Sequence, residues 1–397
     1  KLVKDANDLG DNPEPIKDVV ITCPAYFGTK ERMQTKQAGE IAGLNVLSII
    51  NEPTAAAISY GVKTDQKKTV LVYDLGGGTF DVTLINVNGG AIKVIATGGD
   101  HHLGGVDWDT ALAEYMLAAF NEQNNTSYSF EDRLDLKYEL LLLAEDKKKV
   151  LTAKQTAKAT YQYEGNSARI EISRELFNSL TERKLDETID ATKKVIAIAK
   201  EKGYNIDEIL LVGGSSRMPQ IKERVDKEFN CDAKLTDPDE CVAKGAAIYA
   251  MNAAYSQAVR DYEEGESDDK PAPLRGDRTT VVNVTSKTYG TDVIIEGQSM
   301  VQNLIFANSS LPTKRIETFT TSIPNQRGVS VKVFESDFTN METESIVEER
   351  FCTLIDDHTL KLSKDWPQGT QISVTYQIDQ EGILHGLAYV ENDKLEF

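Results

Sequence analysis

The chain has 397 residues, 40% hydrophobic and 27% charged, with 63 acidic against 44 basic side chains and a net charge of −19. That length provides for two or three domains, each with a core of its own. So acidic a balance argues against nucleic acid or an anionic membrane surface as the main partner, and no stretch is apolar for long enough to span a bilayer. Cys23, Cys231, Cys241 and Cys352 lie far apart without any C-x-x-C pair. They read as small buried hydrophobes in a reducing cytoplasm, the expected location. His101-His102 has no nearby Cys/His set to complete a zinc site.

Residues 1–18 read as the end of a helix plus a loop. Lys1 is not an initiator methionine, so an upstream part is expected, and the first twenty residues lack a signal peptide's apolar core. Val19–Thr22 and Leu47–Ile50 read as strands around a helical stretch, which is α/β patterning. A β-branched strand, Thr69–Tyr73, and a second, Val82–Ile85, flank three glycines. After Gly104-Gly105 a helix is expected near Asp107, with Leu112, Tyr115, Met116 and Ala119 as its buried stripe. A charged helix covers roughly 132–152, two strands follow at 157–163 and 168–172, and a long helix passes through Leu185, Ile189, Thr192, Ile196 and Ala199. Gly203 suits that helix's C-terminal cap. The buried strand Ile209–Val212 leads into Gly213-Gly214-Ser215-Ser216-Arg217, then helices over 219–229 and 239–251. Residues 256–278 are acidic and proline-bearing, a solvated tether. Beyond it Val329, Val331 and Val333 alternate with polar neighbours, as do Ile372, Val374, Tyr376 and Ile378. Turns at 325–328 and 379–382 separate strands of an antiparallel sandwich of about 120 residues.

The richest segment is Asp74-Leu75-Gly76-Gly77-Gly78-Thr79-Phe80-Asp81. A hairpin tip without side chains lets backbone amides close on an anion. A carboxylate at each base of the tip suits Mg²⁺, directly or through its waters. A bare structural turn also explains three glycines. Glu52 ends a strand, where α/β sites collect, and could orient or deprotonate a water attacking a phosphate; a helix N-terminal carboxylate favoured by the dipole explains it as well. Gly213-Gly214-Ser215 follows a strand and could admit a ligand against backbone beside Arg217. Glu145, Lys148 and Thr152 share one helix face, as a site or as surface charge pairing. Asp239 could bind or could cap its helix.

Taken together and in order, these segments resemble one family. The matching stretches are 20–27 (VITCPAYF), 50–57 (INEPTAAA), 74–81, 102–107 (HLGGVD), 211–219, 237–240 and 245–247, with echoes at 311–314, 325–329 and 381–384. They resemble the Hsp70 (DnaK-like) chaperones, built on the actin/hexokinase-like ATPase fold. The resemblance implies an α/β ATPase domain over 1–255, incomplete at its N-terminus, the linker at 256–278 and a peptide-binding antiparallel β-sandwich over 279–397. It implies ATP/ADP and Mg²⁺ as cofactors, ATP hydrolysis coupled to capture and release of unfolded polypeptide, a stress-response setting, and J-domain and nucleotide-exchange partners. By position, Gly76, Gly77, Gly78 and Thr79 would hold phosphates, Asp74 and Asp81 the metal and its waters, and Glu52 the attacking water. Glu145, Lys148, Lys149 and Thr152, with Gly213, Gly214, Ser215, Ser216, Arg217 and Asp239, would clamp adenosine. Phe319, Val329 and Val331 would line the peptide groove.

This sequence departs from the family pattern in three places. The family's first phosphate hairpin and catalytic lysine precede Lys1. The interdomain segment Arg278–Val284 is less apolar than the family's leucine-rich linker. No helical lid follows the sandwich before Phe397, so bound peptide is expected to exchange quickly. Two other readings stand beside it: a nucleotide-poor peptide-binding or regulatory module, and a small-molecule kinase of the same fold superclass, which gives a sandwich no role.

Overall fold

The computed structural model describes residues 2–9, 15–61, 67–88, 91–238, 240–265, 269–271, 280–339 and 341–397. They fall into two compact units: Lys1–Lys67, Ile85–Thr97 and Val242–Phe397 in the first, Lys68–Leu84 and Gly98–Cys241 in the second.

In the first unit, helix α1 (Leu2–Leu9) precedes strand β1 (Asp18–Cys23), helix α2 (Thr29–Ile41), strand β2 (Asn45–Asn51) and helix α3 (Glu52–Gly61). β1 and β2 pair in parallel, which requires a crossover, and α2 supplies it. In α3 the small residues Ala55, Ala56 and Ala57 are all buried.

The second unit begins with β3 (Lys68–Leu75), buried from Thr69 onward, and contains the first half of β4 (Phe80–Asn88) and the end of β5 (Ala91–Asp100), whose remaining residues, within Ile85–Thr97, belong to the first unit. Helices α4 (Gly105–Asn124) and α5 (Leu134–Ala153), the antiparallel hairpin β6 (Thr156–Tyr163) and β7 (Asn166–Ser173), and α6 (Arg174–Glu201) come next. Strand β8 (Glu208–Val212), a 3₁₀ turn (Gly214–Arg217), α7 (Pro219–Phe229) and β9 (Lys234–Leu235) complete it. β3 pairs in parallel with β8, and β8 with β9, while β4 lies on the other side of β3. All five expected stripe residues of α6 are buried. Ser173 caps that helix, its Oγ accepting from the Leu176 amide at 3.1 Å, and Gly203 ends it at φ +80°. α4 differs from expectation. It starts at Gly105, and Trp108, Leu112, Ala113, Met116, Leu117 and Phe120 are its buried large residues, with Tyr115 and Ala119 only half-buried. Packing against both α5 and β7 buries a wider arc than a single stripe.

Returning to the first unit, α8 (Cys241–Glu263) runs into the segment read as a tether, so residues 256–263 are helical rather than loose. Local pairs hold this last stretch: Gln257 Nε2 donates to Asp261 Oδ1 at 2.6 Å, and Arg260 Nη2 to Gln257 Oε1 at 2.6 Å. The 278/279 boundary lies outside the described residues. β10 (Thr280–Val282) pairs in parallel with the start of β5. Then follow β11 (Thr288–Ile295), β12 (Gln298–Ile305), β13 (Thr313–Thr320), β14 (Gln326–Ser336), β15 (Ile346–Glu348), β16 (Thr353–Trp366), β17 (Gln371–Ile378), β18 (Leu384–Val390) and β19 (Asp393–Glu396). They form two antiparallel sheets, ordered β15-β12-β11-β14-β16 and β13-β17-β18-β19. Tyr289, Val331, Val333, Trp366, Val374 and Tyr376, from both sheets, share one buried cluster. The expected turn at 325–328 is shorter, because β14 already begins at Gln326.

Two glutamates meet inside this unit. Glu31 of α2 and Glu335 of β14 each bury an Oε2 that has no hydrogen-bond partner, and a Cβ placed on Gly28 would lie 2.5 Å from the Glu335 oxygen and 3.2 Å from that of Glu31. Burial, then Glu31 and Asp337, push the Glu335 carboxyl up to about 7 from 4.5, against the opposing pull of Lys287 and Lys30. The folded state therefore holds a proton that the unfolded chain releases between those pH values. This contribution to stability is complete below about pH 4.5 and disappears as pH rises through 7, by at most about 3 kcal/mol. Urea unfolding at pH 5 and pH 8 is expected to show the loss in the parent protein and a much smaller one in Glu335→Gln.

Candidate functional site

The glycine segment joins β3 to β4, and its turn closes by a bond from the Gly76 amide to the Thr79 carbonyl at 3.0 Å. Asp74 and Asp81, one on each strand, are both buried. The first turn of α4 braces the tip: the Gly105 and Val106 amides donate to the Gly76 and Gly77 carbonyls at 3.0 and 2.8 Å. Those carbonyls are thereby drawn toward the helix. Among the described residues no backbone carbonyl is bonded to the Gly77 or Gly78 amides. Gly104 must lack a side chain, since a Cβ there would lie 2.6 Å from the Gly77 carbonyl oxygen.

The neighbouring strand β8 ends at Val212 and is followed by Gly213, whose φ of +82° only glycine tolerates readily. A Cβ there would also stand 2.4 Å from the Leu75 carbonyl oxygen and 2.5 Å from an Asp74 carboxylate oxygen. The turn after it presents Gly214, Ser215 and Arg217 to a cleft of about 490 Å³, which Gly77 of the hairpin and Glu145, Lys148, Lys149 and Thr152 of α5 also line. Eight residues named from sequence in three separated segments thus converge on one cleft within one unit. Its volume suits a small organic ligand.

The two lysines are held differently. Lys149 pairs with Glu145 in its own helix at 2.7 Å and is exposed; that bond draws the Glu145 carboxyl below its ordinary range and pushes the Lys149 ammonium up. Lys148 is buried, with Nζ 2.8 Å from Asp109 Oδ2 and donating to the Gly105 carbonyl at 3.1 Å. Burial pushes the Asp109 carboxyl up, and the bond to Lys148 opposes that shift.

Other expected residues are placed elsewhere. Ser216 turns inward and donates to the Val212 carbonyl at 2.6 Å, so it ties the turn together rather than facing the cleft. Asp239 lies outside the described residues. Glu52 is in the first unit, half-buried at the start of α3, where desolvation pushes its carboxyl up. Val331 is sealed in the core between the two sheets, so of the three expected groove residues only Phe319 and Val329 keep partial exposure. Among the described residues no cluster of three or more acidic, histidine or cysteine side chains is set to hold a metal. The pair Asp74 and Asp81 fits a Mg²⁺ that keeps waters and shares phosphate oxygens, which needs only one or two protein carboxylates. No helix among the described residues is long and apolar enough to cross a membrane.

Two features escaped the sequence reading. Asp109 lies two residues past the quoted Gly104–Asp107 stretch, and an aspartate beside a buried Trp108 was its only signal. Arg32, also buried, gives one guanidinium to the Phe27, Ala25 and Glu381 carbonyls and to Asn51 Oδ1, at 2.9, 3.3, 3.3 and 2.6 Å.

Comparison with known proteins agrees with the resemblance drawn from the motifs. A family model described as Hsp70 protein matches residues 1–394. The chain is 37% identical over 395 residues to the chaperone protein DnaK of Thermosipho melanesiensis, covering 97% of this chain and 61% of that protein. It is 35% identical over 380 residues to the mitochondrial heat shock protein SSC3 of Saccharomyces cerevisiae, covering 93% and 54%. With DnaK of Halobacterium salinarum it shares 36% over 394 residues, covering 97% and 57%. The chain therefore spans less than two thirds of the length of these relatives. On the match over nearly its whole length, the chain belongs to the Hsp70 family.

Proposed function

We propose that this chain is the nucleotide-gripping and peptide-holding part of an Hsp70-type chaperone. In it, ATP binding and hydrolysis would be coupled to capture and release of extended apolar segments. The observation that carries the reading is the cleft of the second unit, where the glycine hairpin, the α5 lysine face and the Gly213 turn converge. The hairpin amides would take the β- and γ-phosphates, with Asp74 and Asp81 holding Mg²⁺ and its waters; the metal would supply charge neutralisation at the phosphates. Glu145, Lys148, Lys149, Thr152 and the Gly214–Arg217 turn would enclose the nucleoside. Glu52 would orient the attacking water, and its raised proton affinity suits a group asked to accept a proton. The two antiparallel sheets would be the peptide-binding sandwich, with Phe319 and Val329 on its groove. J-domain and exchange-factor partners follow from the family in the same sense, and a cytoplasmic location from the cysteine usage.

Isothermal calorimetry with Mg·ADP and Mg·ATP tests this. Saturable binding is expected in the parent chain, with a loss of about tenfold or more in Asp74→Ala. A folded chain that binds neither nucleotide overturns the reading.

A further inference from the structure

Resting on that nucleotide reading, we propose that Asp109 is a positioning residue that divides the cleft into a nucleoside end and a phosphate end by holding Lys148. The ammonium is buried between helices, bonded at 2.8 Å to a carboxylate that is itself 7% exposed. A lysine free to swing is a hydrated point charge, and polyphosphate is its natural partner. Bound to Asp109 and to the Gly105 carbonyl, Lys148 belongs to a pair without net charge and lacks the reach for that task. What it keeps is an oriented donor beside Ser215 at the cleft wall: a Cβ on Gly105 would meet Ser215 Oγ at 2.3 Å and Lys148 Nζ at 3.1 Å.

The second carboxylate oxygen favours this role over a purely structural one. Asp109 Oδ1 is buried and has no hydrogen-bond partner among the described residues. Most buried carboxylates are satisfied on both oxygens, because an unmade bond costs stability. Here the carboxylate carries that cost and spends its bonding on a single cation. Lys149 is also paired, though on the exposed side and within its own helix, with Glu145, so this stretch of α5 offers the cleft two paired lysines. An uncharged sugar and base suit such a wall, whereas phosphate is left to the backbone amides of the hairpin.

The test is a split between two probes, adenosine and pyrophosphate, measured by calorimetry on the full chain with Mg·ADP as reference. In Asp109→Asn the ammonium loses its counter-charge and gains freedom to swing. Adenosine affinity is expected to fall about tenfold, while pyrophosphate affinity holds or rises and becomes more dependent on salt. A parallel loss for both probes would show a merely structural residue and overturn the proposal, as would unchanged adenosine binding. Should Asp109→Asn fail to fold, the double variant Asp109→Leu, Lys148→Met removes the pair without leaving a lone charge. It is expected to lose adenosine and keep pyrophosphate, and equal loss of both overturns the proposal. If the parent chain binds neither Mg·ADP nor adenosine, the nucleotide reading itself has failed, which is distinct from any result with the variants.

Discussion

Gly245→Val is expected to leave the first unit largely unfolded. Glycine inside a helix ordinarily weakens it by about 1 kcal/mol relative to alanine, so even Gly245→Ala would stabilise α8 if the helix stood alone. The packing reverses that sign. A Cβ at residue 245 would lie 1.7 Å from the Ala55 carbonyl oxygen and 2.4 Å from its carbonyl carbon. The obstacle is the backbone of α3, which cannot rotate away as a side chain would. α3 itself is fully buried at Ala55, Ala57 and Ile58, so moving it opens the core behind it. Overpacking costs about 1–3 kcal/mol where side chains can adjust, and more is expected where two helix backbones must part. Gly245→Ala should already lower the unfolding midpoint of this unit by several degrees, and Gly245→Val should abolish its cooperative transition. A Gly245→Ala chain as stable as the parent would show that the two helices do not cross this closely.

Features governed by short-range chemistry were legible in the sequence. The β-branched run before Asp74, the five-residue stripe of α6, the Pro219 start of α7 and the alternation from Ile372 to Ile378 each follow from one element's own pattern, and the structure has all four. The hairpin and turn residues that line the cleft could be named because each lies at the end of such an element, and those of α5 because they share one helix face. What could not be read is what one element does to another. α4 buries Trp108 and Phe120 because both α5 and β7 pack on it, which no single stripe announces. Val331 alternates as a groove residue would, yet the second sheet closes over it. Ser216 sits in a motif with three cleft residues, and one 2.6 Å bond to Val212 turns it the other way. The acidic composition past residue 255 looked like a tether, but i, i+3 and i, i+4 pairs carry the helix to Glu263. Among the least legible contacts is the one between Arg32 and Glu381, 349 residues apart.

Arg32→Ala is expected to release the turn between β17 and β18 from α2 and to cost about 3–5 kcal/mol. Arg32 is 4% exposed and its four acceptors are three backbone carbonyls and one amide oxygen, none of them a carboxylate. Its truncation would strand buried acceptors at Phe27, Ala25, Asn51 and Glu381 that water would have to reach. The turn is shaped to receive it: Gly382, at φ +82°, brings backbone so near that a Cβ would stand 3.2 Å from Arg32 Cδ. The adjacent Lys36–Glu381 ion pair at 2.8 Å is partly exposed and cannot substitute, since such a pair is worth about 0–1 kcal/mol. Arg32→Met, which keeps most of the side-chain volume, separates the two costs. If packing dominates, the methionine variant should recover most of the stability; if stranded acceptors dominate, it should remain nearly as unstable as the alanine variant, and the second result is expected. Limited proteolysis should then cut between Asp379 and Gly382 in both variants while the parent chain resists. Uncut variants with parental stability would mean that Arg32 does not hold this turn in place.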